Sequence, residues 1–215
     1  MARQPKSSKR KKAEREPYDK VLIVCEGEKT EPHYFQEIQS HYQISSLNIM
    51  IDGDSGSNPS SVVNHAKALA KKEEKRGSPF DKVYCVVDRD NHPCYDSALE
   101  QIKAQKGDVF QSAQSVPSFE YWLLLHFEYT TRGYVSQQGN SVGAQVLSDL
   151  KKQEGMSKYD KGEKGIFEKL FDRLETAKTN AARGLVAAER NDTDNPSTHV
   201  HLLVEYLQRI KEANE

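Results

Sequence analysis

Two short apolar runs, each ending in acidic groups, constrain this chain more than anything else in it. Val21-Leu22-Ile23-Val24-Cys25 leads directly into Glu26-Gly27-Glu28, and Val83-Tyr84-Cys85-Val86-Val87 leads into Asp88-Arg89-Asp90. A continuous apolar run rich in β-branched residues reads as a strand of a parallel sheet covered on both faces. Ligands of such sheets bind outside the carboxyl ends of the strands. Carboxylates gathered at that edge repel one another unless a cation neutralises them. A hard divalent ion, Mg²⁺ or Mn²⁺, prefers oxygen ligands and is the natural candidate. Asp88 and Asp90, two apart on an extended segment, point to the same side. Both then address the region of Glu26, provided the two strands are neighbours. A lone D-x-D is more simply a turn or a helix cap; the E-G after a second buried strand is what gives it chemical content.

The rest of the first half alternates in the same way. A strand over 20–25 is followed by a helix over 31–42, with Pro32 suited to its first turn. A second strand is expected over 47–51, a Gly-, Ser- and Asp-rich loop over 52–61 and a helix over 61–76. A third strand over 82–87, a helix over 95–106 and a weaker strand over 109–113 complete the pattern. Strands alternating with helices imply right-handed βαβ units and a parallel sheet. The second half changes character. A buried helix is expected over 118–127 and a polar surface loop over 129–141. Helices are expected over 142–153 and 163–188. A break follows at 191–196, and Ser197 is a suitable cap for a last helix. Phe167, Leu170, Phe171, Leu174, Ala177 and Ala181 form one helical stripe; Val200, Leu203, Val204, Leu207 and Ile210 form another. Both read as core rather than as cofactor contacts.

The 215 residues, 36% hydrophobic and 29% charged, suit one polar domain with a real core and a helical appendage. No stretch reaches the roughly 20 apolar residues that cross a bilayer, and the N-terminus has no apolar signal core. Cys25, Cys85 and Cys94 are odd in number and form no C-x-x-C, so a reduced cytoplasmic compartment is expected. The net charge of −1 hides an asymmetry. Residues 1–16 carry seven Lys or Arg against two Glu, a local +5 that leaves −6 elsewhere. Arg3, Lys6, Lys9, Arg10, Lys11, Lys12 and Arg15 read equally as a phosphate-contacting disordered arm and as a solubilising tail.

Other chemistry is weakly signalled. Gly27-Glu28-Lys29-Thr30 fails as a P-loop, which needs two spaced glycines with the second directly before Lys. Lys29 reads either as a partner for a scissile phosphate or as an exposed loop lysine. Glu120 lies in an apolar helix, where a carboxylate must pair, bind metal or sit at the helix start. Lys158, Lys161 and Lys164 form a basic loop that either contacts phosphates or is simply solvated. His92-Pro93-Cys94 lacks the further ligands of a zinc site, His199 and His201 point to different helix faces, and no G-x-S-x-G elbow is present.

Several of these segments together resemble the RloB family, which belongs to the Toprim superfamily. The resemblance runs through Ile23-Val24-Cys25-Glu26-Gly27-Glu28-Lys29-Thr30-Glu31-Pro32 with Tyr34-Phe35, and Val87-Asp88-Arg89-Asp90-Asn91-His92-Pro93. It continues through 119–128, Lys158-Tyr159-Asp160-Lys161-Gly162 and Asn195-Pro196-Ser197-Thr198-His199-Val200. One mild departure is Tyr121, where Leu is common. The resemblance implies a Toprim-like (Rossmann-like) α/β core over 18–128, after a basic arm over 1–17. A helical C-terminal extension over 129–215 would pack on that core. It implies a role in anti-phage defence, often beside an AAA-type ATPase. It places the Toprim glutamate on Glu26 and the D-x-D pair on Asp88 and Asp90.

The expectation is therefore an Mg²⁺- or Mn²⁺-dependent endonuclease acting on DNA or tRNA. Glu26, Asp88 and Asp90 would be metal ligands, with Lys29 and Glu120 as further catalytic candidates. Lys9, Arg10, Lys11, Lys12, Lys158 and Lys161 would be the nucleic-acid contacts. The competing class is a non-catalytic nucleic-acid- or partner-binding subunit with a structural metal. An ATPase partner and homo-oligomerisation are both left open, and no membrane association is expected.

Overall fold

A computed structural model describes residues 19–212, except 47, 91 and 138. The two apolar runs form strands β1 (Val21–Cys25) and β3 (Lys82–Val86), paired in parallel with Cys25 opposite Val86. Strands β2 (Ile49–Asp52) and β4 (Phe110–Ser112) flank them, giving a four-stranded parallel sheet in the order β2-β1-β3-β4. The connections are α1 (Thr30–His41), α2 (Pro59–Lys75) and α3 (Tyr95–Lys103). The α/β class and the parallel sheet with flanking helices expected from the sequence are present.

The alternation along β1 sorts two cores. Val21, Ile23 and Cys25 face α1 and the C-terminal helices, whereas Leu22 and Val24 face α2 and α3. Every β1 side chain is fully buried, so the strand cannot show a polar face, which is why its sequence is an unbroken apolar run. From β1 the chain moves to β2 through α1 on one face; from β3 it moves to β4 through α3 on the other. The carboxyl ends of β1 and β3 are therefore the switch point of the sheet, where a crevice opens.

The second half packs on the α1 side. Helix α4 (Phe119–Leu124) is buried at every residue, and α5 (Val142–Lys151), α7 (Leu174–Arg190) and α8 (Val200–Glu212) close over it. Four expectations are corrected here. The helix over 118–127 shortens to six residues, because after Leu124 the chain tightens into turns such as Phe127 N–H to Leu124 O. The helix over 163–188 breaks into α6 (Ile166–Leu170), a 3-10 turn (Phe171–Arg173) and α7. Ser197 caps no helix. It pairs with Val116 in a small antiparallel sheet of β5 (Ser115–Val116) and β6 (Ser197–Thr198), and the Thr198 hydroxyl accepts the Val200 N–H instead. The second helix begins earlier than expected, at Pro59, because Asn58 caps it by accepting the Ser61 N–H at 3.0 Å. Among its described residues the loop over 129–141 holds no helix, yet Tyr134 in it is buried, its N–H donating to Asn195 Oδ1 and its carbonyl accepting from Asn195 Nδ2. No helix among the described residues is long and apolar enough to cross a membrane.

Candidate functional site

The switch-point crevice is a cleft of about 550 Å³, lined among others by Glu26, Lys29, Glu31, Asp88, Asp90, Glu120 and Lys161. The residues expected at a site from the end of β1, the end of β3, the buried helix and the basic loop thus meet in one place. Lys158 is exposed and does not line it. Lys9, Arg10, Lys11 and Lys12 lie outside the described residues.

Parallel pairing fixes the first two carboxylates. The Glu26 N–H donates to Val86 O at 3.0 Å, and Glu26 Oε2 accepts the Asp88 N–H at 3.1 Å, so the ends of β1 and β3 are stitched by backbone and side chain. The other side of Asp88 is held by β5. Ser115 N–H donates to Val87 O, Arg89 N–H to Ser115 O, and Asp90 N–H to Pro117 O. Asp88 Oδ2 accepts the Phe119 N–H at 3.1 Å. Asp90 is exposed at the rim, with a left-handed φ of 32°. That is a conformation for which Asp is better suited than most residues.

From the sequence, Glu31 falls at a helix start and within the family-like segment, but not among the site candidates. It is 5% exposed, and its carboxylate curls back over Gly27, where a Cβ would stand 2.1 Å from Glu31 Oε2. Glycine at 27 therefore makes room for a second buried acid. His92, dismissed as a zinc ligand, also belongs here, with Nε2 3.0 Å from Glu26 Oε1. Its cue was its place two residues beyond the D-x-D pair. Glu120 is 2% exposed in the first turn of α4 and is fully engaged. Ser118 Oγ donates to Oε2 at 2.7 Å, and Lys161 Nζ lies 2.9 Å from Oε1. Lys29 is exposed, is among the residues lining the cleft and has no ion-pair partner among the described residues.

The electrostatic result is an excess of buried negative charge. Burial raises the Glu26 carboxyl above its ordinary value, against the Asp88 N–H and His92, which lower it. Burial, then Glu31 and Glu120, push Asp88 well up despite the Phe119 N–H. Burial lifts Glu31 to about 7, with Glu120 and Glu26 adding to the push and Lys161 opposing it. Mutually repelling carboxylates of this kind mark sites that await a cation or a proton.

The donors fit a hard divalent ion in kind: all are carboxylate oxygens, partly desolvated and short of positive charge. They do not yet converge. Among the described residues, no group of three or more His, Cys, Asp or Glu side chains is disposed to hold a metal ion. The carboxylates are turned instead to backbone N–H groups, His92 and Lys161, and these hydrogen bonds would have to be exchanged for metal bonds.

A family model described as RloB-like protein matches residues 21–207. The chain belongs to the RloB-like family. The match reaches from β1 into α8 and so takes in every element that lines the cleft. No curated protein and no solved structure matches the chain.

Proposed function

We propose that this RloB-like protein is a Toprim-type, metal-dependent endonuclease that hydrolyses phosphodiester bonds of DNA or tRNA. The observation that carries the reading is the stitching of Glu26 to Asp88 at the switch point, with Glu31 and Glu120 buried in the same cleft. Glu26 and Asp88 would hold Mg²⁺ or Mn²⁺, with Asp90 beside them at the rim. Such an ion supplies a Lewis acid for a phosphoryl oxygen and for the attacking water. The chain itself does the rest. The Phe119 N–H and the Ser115–Pro117 backbone fix Asp88; His92 orients Glu26; Lys29, exposed in the lining of the cleft, meets a non-reacting backbone phosphate. In the reaction, the water oxygen bonds to phosphorus and gives up a proton, the bond from phosphorus to one sugar oxygen breaks, and that sugar oxygen takes up a proton. A role in anti-phage defence, with an AAA-type ATPase as partner, rests on the family resemblance alone.

A non-catalytic nucleic-acid- or partner-binding subunit with a structural metal is the second reading, favoured by the engagement of Glu26 with the Asp88 N–H and His92 and of Glu120 with Ser118 and Lys161. Charge-neutral Glu26→Gln and Asp88→Asn variants separate the two. An endonuclease loses cleavage by at least about a hundredfold in each variant while nucleic-acid affinity, read by fluorescence anisotropy, stays within a few-fold. Loss of binding with no cleavage to lose would favour the subunit.

A further inference from the structure

Lys161 lies 41 residues beyond Glu120 in sequence, in a loop between α5 and α6, yet its ammonium sits inside the acidic cleft. Its position is built, not incidental. The Gly162 N–H donates to Thr30 Oγ1 at 2.8 Å, and Gly162 O lies 3.1 Å from His33 Nδ1. The Glu37 carboxylate accepts the N–H groups of Gly165 at 2.6 Å and Phe167 at 2.8 Å. Gly162 has φ 82°, and a Cβ there would press to 2.9 Å from Lys29 Cβ, so the loop lies flat against the start of α1. Thus α1, which carries Glu31, also clasps the loop that delivers Lys161.

Glu120, being 2% exposed, could not stay ionised in its apolar helix without a partner. Both of its oxygens are taken, one by Ser118 and one by Lys161, which leaves neither facing an ion. The Lys161 ammonium lies 2.9 Å from a carboxylate that is 2% exposed, so the cation is held in the cleft by an ion pair.

We propose that Lys161 is a resident cation of this cleft, standing where a second metal ion would otherwise be drawn, so that the site takes one divalent ion at the Glu26–Asp88 side. The inference rests on the metal-dependent reading above. It also turns Glu120 from a candidate ligand into the residue that positions Lys161.

Isothermal titration of Mn²⁺ into the full-length protein tests it, with wild type, Lys161→Met, Lys161→Arg and the double variant Lys161→Met/Glu120→Gln. Circular dichroism confirms that each is folded, and Lys161, about half-exposed, tolerates both replacements sterically. Wild type and Lys161→Arg should bind one Mn²⁺. Lys161→Met, with Glu120 unpaired, should bind a second Mn²⁺ or bind the first at least tenfold more tightly. The double variant should return to the wild-type isotherm. An unchanged isotherm in Lys161→Met, or two ions in wild type with one lost in the double variant, overturns the inference while leaving the metal-dependent reading intact. No Mn²⁺ binding by wild type overturns both.

Discussion

Asp88 lies between one stabilising N–H, from Phe119, and the carboxylates of Glu31, Glu120 and Glu26. Before any cation arrives, its charge costs the fold free energy. An Asp88→Asn side chain keeps an oxygen for the Phe119 N–H and discards the charge. We expect it to be more stable than wild type in EDTA by about 1 kcal/mol, or about 2–4 °C in melting temperature for a chain of this size. Differential scanning fluorimetry reads this directly; an equal or lower melting temperature would mean the cleft holds no such excess charge. Acids that ended apolar strands, Glu26 and Asp88, were legible because the strand pattern pointed at them. Glu31 was not, since a Glu at a helix start is ordinarily explained by the helix dipole, and only the fold reveals that it bends over Gly27. The Lys161–Glu120 pairing was hidden for a related reason: it is set by tertiary packing, which leaves no spacing to read, and His92 had only its place two residues beyond the D-x-D pair as a cue.

At the scale of elements, the loop that follows α5 carries more of the site than its polar sequence suggests. Gly162 is its tightest point, with a left-handed φ and no space for a Cβ beside Lys29. Gly162→Ala should cost about 1–2 kcal/mol in urea unfolding and loosen the loop that presents Lys161. A neutral effect would show that the loop is not pinned against α1. The strands and helices of the first half were legible because burial on both faces of β1 and β3 leaves an apolar run, and because their connections begin and end with Pro, Asn and Gly. The break within 163–188 was not. Leu170 and Leu174 lie on either side of the 3-10 turn and remain four residues apart, so the apolar stripe passes through the turn without a change of period. Strands β5 and β6 have two residues each, too few for alternation to show, and exist because Ser115 meets Thr198 across the fold, hydroxyl to hydroxyl at 3.0 Å.

For the whole molecule, the sheet, the clasped loop and the C-terminal helices share one continuous core on the α1 side, and that core contains a buried base. Burial holds His126 at about 4, against its hydrogen bond to Trp122 O. Because its folded value is depressed below the ordinary 6.5, its contribution to stability is complete above pH 6.5 and is lost as pH falls toward about 4. The loss is on the order of 3 kcal/mol. The raised carboxylates of the cleft act in the opposite sense, so the slope assigned to His126 is read as a difference between variants. His126→Asn, which can still donate to Trp122 O, should flatten the acid side of the stability profile relative to wild type; parallel profiles would contradict the assignment. The most direct test of the central claim is incubation of the protein with Mg²⁺ or Mn²⁺ and separate pools of duplex DNA, single-stranded DNA and tRNA, beside Asp88→Asn and an EDTA control. The account predicts that wild type cleaves at least one pool only when metal is present and that Asp88→Asn cleaves none. Cleavage that survives EDTA or the Asp88→Asn substitution would contradict it.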